Sequence, residues 1–144
     1  MGLTMFYETS LAVPAGTPAD APVETELHAT HGVITRVEIE FNPGCTQMVH
    51  VVLLHMNHQV WPTNPGGDFA SDSHVVGFDD YYELFDVPYD LVVRAWTDGT
   101  DYDHDIRVRV GMLSQEVAEY IYGKRTASGL AALQQAFGLA PEGG

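Results

Sequence analysis

Three histidines, His50, His55 and His58, lie close enough in sequence to raise the question of a metal centre, because neutral imidazole is a common ligand for zinc and related ions. On one continuous strand His50 and His55 face opposite ways and cannot share an ion. A turn at Met56 and Asn57 would bring His58 back toward one of them, which gives two ligands and no third. His28 and His31 diverge for the same reason. A cupin-like metal enzyme is therefore not expected. The acidic run "DGTDYDHD" offers Asp98, Asp101, Asp103 and Asp105, hard oxygen ligands of the kind calcium prefers. Its spacing departs from the helix-loop-helix calcium motif, and Asp98-Gly99 is a hairpin turn signal. A solvated hairpin is the expectation there, with calcium as the alternative, and no cofactor is assigned.

Nucleophilic chemistry has less to build on. Cys45, the single cysteine, excludes an internal disulfide. Its setting, "NPGCTQ", reads as a turn with no base or helix N-terminus to lower the thiol pKa, so it reads as a small filler. No serine occupies a strand-turn-helix elbow, and "NPGG" lacks the lysine of a phosphate loop. The chain is not expected to be an enzyme. Binding chemistry is better represented: Trp61, Tyr81, Tyr82, Phe85, Tyr89, Trp96 and Tyr102 fall in a short span. Exposed aromatics beside carboxylates hold sugars, so a carbohydrate-binding or adhesin-like module with Trp61 in a groove is the alternative function. The ordinary use of aromatics in strands is to fill core and rim.

Global charge narrows the partners. Twenty carboxylates against six Lys and Arg give a formal charge of −14, which repels nucleic-acid phosphates and anionic lipid, so neither partner is expected. From Asp68 to Asp105 the only Lys or Arg is Arg94, and an acidic face is expected. The 144 residues suit one domain with a real core, and no apolar run approaches the roughly 20 residues of a membrane span. "MGLTMFYETS" has no secretion-signal pattern, so a soluble protein made in the cytoplasm is expected.

The elements that must position these residues alternate with period two. In "VITRVEIEF", Val33, Thr35, Val37, Ile39 and Phe41 share one face and Arg36, Glu38 and Glu40 the other. "DIRVRVGM" sorts in the same way. Further strands are expected at 3–13, 23–30, 47–56, 59–61, 73–78, 81–86 and 89–97. The fold class is thus all-β: an antiparallel β-sandwich or jelly-roll-like domain over 1–113, with a short C-terminal helical tail over 114–144. The proline-rich stretch 13–23 should be an extended arm. In the tail, Ser114 caps a helix to about Tyr122, and Thr126 caps a second that ends near Gly138. Leu130, Leu133 and Phe137 form the apolar stripe of that second helix, which must be buried on this chain or on a neighbour.

Strand 47–56 is apolar on both sides: Val49, Val51 and Leu53 point one way and Met48, Val52, Leu54 and Met56 the other. The second face needs a cover, supplied by the C-terminal helices or by another chain. "HQVWPTNPGGDF", residues 58–69, reads as a stiffened connector anchored by Trp61 and Phe69, with a rim available to a partner.

The order "FNPGC", "WPTNPGGDF", "YYEL" and a closing strand ending "GML" resembles small uncharacterised proteins encoded among tailed-phage and prophage virion genes, over about residues 5–113. The resemblance implies a non-enzymatic virion structural subunit, such as a capsid decoration, head-vertex or tail-associated protein. It also implies a homo-oligomer that meets other virion proteins, such as a major capsid protein. The extended arm and the tail are the expected contacts, with Trp61, Phe69, Met48, Val52, Leu54, Leu130, Leu133 and Phe137 as candidate interaction residues.

Overall fold

The computed structural model of the chain describes residues 4–123 and 127–138. Eight strands run in chain order: β1 (Met5–Val13), β2 (Val23–His28), β3 (Gly32–Phe41), β4 (Val49–His55), β5 (His58–Trp61), β6 (His74–Leu84), β7 (Asp90–Thr97) and β8 (His104–Leu113). Helices α1 (Gln115–Ile121) and α2 (Ala127–Ala136) follow. The strands form two four-stranded sheets, ordered β1-β8-β3-β6 and β2-β7-β4-β5, and every pairing is antiparallel. Strand 1 pairs with 8, 2 with 7, 3 with 6 and 4 with 5, so the chain is one long hairpin rolled into two layers. That winding is the jelly roll, and it agrees with the fold class read from the sequence.

Alternation explains the layers. Val37, Ile39 and Phe41 of β3, Ile106, Val108 and Val110 of β8, and Leu91, Val93 and Ala95 of β7 all turn inward and are buried. The outward residues of the first sheet form a ladder of charges. Arg109 reaches Glu40 at 2.6 Å and Glu38 at 3.4 Å, Arg107 reaches Glu8 at 3.0 Å, and Arg36 reaches Glu38 and Asp79. Three of the four arginines among the described residues are thereby held on one face by paired carboxylates.

Two expected strands, 73–78 and 81–86, are one strand, β6. Asp79 and Asp80, which read as a turn, stay in the strand: Ile34 pairs with Tyr82 and Arg36 with Asp79, so Asp80 and Tyr81 stand opposite the single residue Thr35 in a bulge. The bulge re-aims Asp80, which accepts a 2.6 Å hydrogen bond from the Trp61 indole of the other sheet.

The stretch 14–22 crosses from the first sheet to the second and lies on its own sandwich. Thr97 N donates to Thr17 O at 2.8 Å, and Ala15 N donates to Asp103 at 2.8 Å. In the tail, Ser114 caps α1 as its side chain accepts from Val117 N. Thr126, the expected second cap, lies outside the described residues. Val117 and Ala118 pack on Val33 and Leu113 at the outer face of the first sheet, and Leu133 of α2 joins that cluster. Ile121, Tyr122 and Phe137 stay exposed, at 41%, 55% and 59%.

Candidate functional site

The outer face of the second sheet gathers most of the chemistry. In β4, Val49, Val51 and Leu53 point into the core, so His50, Val52 and Leu54 point outward. Cross-strand pairing sets His50 beside Trp96, Val52 beside Arg94 and Leu54 beside Val92. Val52 and Leu54 are nonetheless only 3% and 6% exposed. The tail packs against the first sheet, while the arm residues Ala19 and Pro22 share a groove with Val52, Gln59, Arg94 and Trp96 on the second. Met48 precedes the strand and is half-buried, and Met56 is exposed in the turn.

His50 is clamped on both ring nitrogens. Nδ1 lies 2.6 Å from Asp68, at the end of the 62–69 connector, and Nε2 lies 2.5 Å from Asp98, at the end of β7. Its ring stacks on Trp96 with centroids 5.6 Å apart and planes 13° off parallel. Burial disfavours the charged imidazole, but hydrogen bonds to the two aspartates, together with their charges, outweigh that cost and raise the His50 pKa above its ordinary 6.5. Because the carboxylates sit on opposite nitrogens, the arrangement is a brace rather than a metal pocket.

The raised pKa has a sign. A histidine whose folded pKa exceeds its unfolded value adds stability that is complete below about pH 6.5 and is lost as pH rises through the folded value. Urea unfolding at a series of pH values should show stability declining above that point, and His50→Gln should flatten the decline. An unchanged slope in the variant would show that the brace does not couple protonation to folding.

The other candidate residues scatter. His55 is buried and hydrogen-bonds Tyr82 OH at 2.7 Å and accommodates Pro88 O at 3.0 Å, while His58 is exposed. His31 stacks on Phe85. The four aspartates of the acidic loop are not gathered. Asp98 turns to His50, Asp103 accepts from Ala15 N, and Asp105 stands in β8 opposite Ala12. Among the described residues, the set whose ligand atoms converge within 4.8 Å is Glu26, His28 and Asp90, at the edge of the second sheet. The sequence reading missed it, since Glu26 and His28 alternate onto one face while Asp90 arrives by the β2-β7 register. His28 Nδ1 bonds Asp90 at 2.8 Å, and that hydrogen bond is the first cause of its raised pKa. Cys45 is buried, and burial pushes its thiol pKa up, away from nucleophile chemistry.

Trp61 and Phe69 serve the core side of the connector. Trp61 is 3% exposed and packs against Tyr82 and Phe78, so a sugar platform at this residue is ruled out by its burial. Phe69 is half-buried, stacks on Phe78 at 5.6 Å and exchanges two backbone hydrogen bonds with Val51. Gln59 Nε2 donates to the carbonyls of Pro62, Asn64 and Gly67, which ties the loop to β5. The connector is thus pinned at three carbonyls by Gln59, at Asp68 by His50 and at Phe69 by Val51. Tyr102, by contrast, is 77% exposed at the tip of the β7-β8 hairpin.

What the geometry defines is a jelly-roll domain with a filled interior and a braced outer face. Comparison with known proteins adds little: no family model matches the chain, and no curated protein matches it. The crystal structure of FLHE is similar over 78% of this chain and 99% of that one, at 14% identity and a TM-score of 0.47. A likeness at that level assigns no role to this chain.

Proposed function

We propose that the chain is a non-enzymatic structural subunit of a virion, a capsid decoration, vertex or tail-associated protein that assembles as a homo-oligomer on a larger particle. The observation that carries this reading is the tail. After Val117, Ala118 and Leu133 have packed on the chain's own first sheet, Ile121, Tyr122 and Phe137 remain about half exposed, Tyr122 with one ring edge on Tyr81. Apolar side chains left exposed on a terminal element are the usual anchor of an inter-subunit contact. The arm is the weaker contact, because its backbone is tied to Thr97 and Asp103 of the same chain. The sequence resemblance over residues 5–113 supports the particle context, and the formal charge of −14 suits an outward face that must keep a particle soluble.

Light scattering on the purified chain tests the assembly step. The expected result is an oligomer of defined mass whose dissociation is promoted by Phe137→Ser and Tyr122→Ser together. A monomer at every concentration would overturn the reading.

A further inference from the structure

The arm and the second sheet flank an open groove of about 530 Å3, lined on its apolar side by Pro22, Trp96 and the edge of Val52 and on its polar side by Asp20, Glu24, Gln59 and Arg94. We propose that this groove is a binding site for a neutral saccharide, with one pyranose ring against the Trp96 indole. The site is independent of the assembly reading.

The volume, a pre-oriented aromatic wall and a paired polar rim point to that ligand. The volume falls in the range of roughly 300–1,000 Å3 typical of small-ligand sites. The indole is half-buried, and its orientation is fixed from behind by the stacked His50 ring, itself held by Asp68 and Asp98. An aromatic wall that need not reorganise loses less entropy on binding. Trp96 thus presents apolar surface for the C–H face of a sugar ring.

The rim supplies the other half of the recognition. Arg94 Nε donates to Glu24 at 2.6 Å, and its remaining N–H groups have no partner among the described residues. A paired guanidinium and carboxylate offers donors and acceptors side by side, which matches hydroxyl groups that donate and accept at once. The pairing also removes the net field that would hold a free ion. An anionic ligand is further disfavoured by Asp20 at the rim and by the charge of the whole chain. Gln59 holds the connector through its amide nitrogen, so it shapes the rim. His50 is a positioning residue in this account, since it acts on ligand only through Trp96.

The test uses the full chain and the two indole N–H signals of its NMR spectrum, one for Trp61 and one for Trp96. Maltotetraose, cellotetraose, chitotetraose and β-1,4-galactotetraose are titrated separately, with tetramethylammonium chloride as the cationic arm. At least one saccharide should shift the Trp96 signal saturably with a Kd of about 1 mM or tighter, leaving the buried Trp61 signal in place. Trp96→Ala should weaken that binding at least about tenfold, equivalent to about 1.4 kcal/mol. Arg94→Ala, which leaves the indole intact, should weaken it severalfold. Both variants must give the strand circular-dichroism signal of the parent, and if Trp96→Ala does not fold, Trp96→Phe takes its place. Absence of any saturable shift up to about 20 mM saccharide, far above a Kd of about 1 mM, would overturn the proposal. So would binding that survives both substitutions, or tighter binding of tetramethylammonium than of any sugar.

Discussion

Replacing Trp61 by alanine should cost about 3–5 kcal/mol of folding stability, the range for deleting a large buried aromatic side chain. The indole is 3% exposed and sits where β5 meets β6, against Tyr82 at 5.3 Å and Phe78 at 6.3 Å. It also donates to Asp80, so its loss leaves that carboxylate without its partner from the opposite sheet. Trp61→Phe separates the two effects: it keeps most of the packing, removes the donor, and should cost about 1 kcal/mol, the net worth of a typical hydrogen bond, because the exposed Asp80 carboxylate turns to water. Urea denaturation monitored by circular dichroism reads both. A cost below about 1 kcal/mol for the alanine variant would contradict this placement of the indole, since that is the range of substitutions outside the core.

Removal of residues 114–144 is the second large effect. It uncovers Val33, fully buried in the intact chain, and Leu113, 6% exposed, together with the half-buried rings of Tyr81 and Phe85. Fully burying an aliphatic side chain is worth about 1.5–3 kcal/mol, so the truncated chain should lose about 2–5 kcal/mol and keep its jelly roll. Differential scanning calorimetry should show one cooperative transition at a lower temperature, and light scattering should show dissociation. Val117→Asp mimics the stability loss while leaving Ile121, Tyr122 and Phe137 in the chain. A truncated protein as stable as the parent would contradict the packing of α1 on the first sheet, and one that remained oligomeric would place the contact elsewhere.

The fold was legible because one face of most strands meets water. "VITRVEIEF" and "DIRVRVGM" sort cleanly into inward and outward residues, and the Pro, Gly and Asp clusters between strands mark the turns. Asp79 and Asp80 misled, since consecutive aspartates signal a turn locally, and only the register against β3 pairs Asp79 with Arg36 and puts Asp80 in a bulge. Strand β4 gave its two apolar faces in Val49, Val51 and Leu53 and in Val52 and Leu54, whereas Met48 and Met56 fall outside the strand. The residues beside Val52 on its outer face come from the β1-β2 crossing and from β5 and β7, which no local pattern reveals.

The candidate site was mostly hidden for the same reason. His50 was visible as a residue, but its partners Asp68 and Asp98 stand 18 and 48 positions away. Trp61 and Trp96 look alike in sequence, and strand parity alone does not tell which indole goes inward beyond a bulge in the β4-β5 pairing. For Trp96 the usable signal is local: it alternates with inward-facing Ala95 and Thr97 in "VVRAWTDG".

Quantitative mass spectrometry of gradient-purified particles from cells that encode the chain tests the proposed particle role most directly. The proposal predicts the chain in the particle fraction at a fixed ratio to the most abundant shell protein, retained through high-salt washing. A chain found only in the unassembled fraction, while the particles are complete without it, would contradict it.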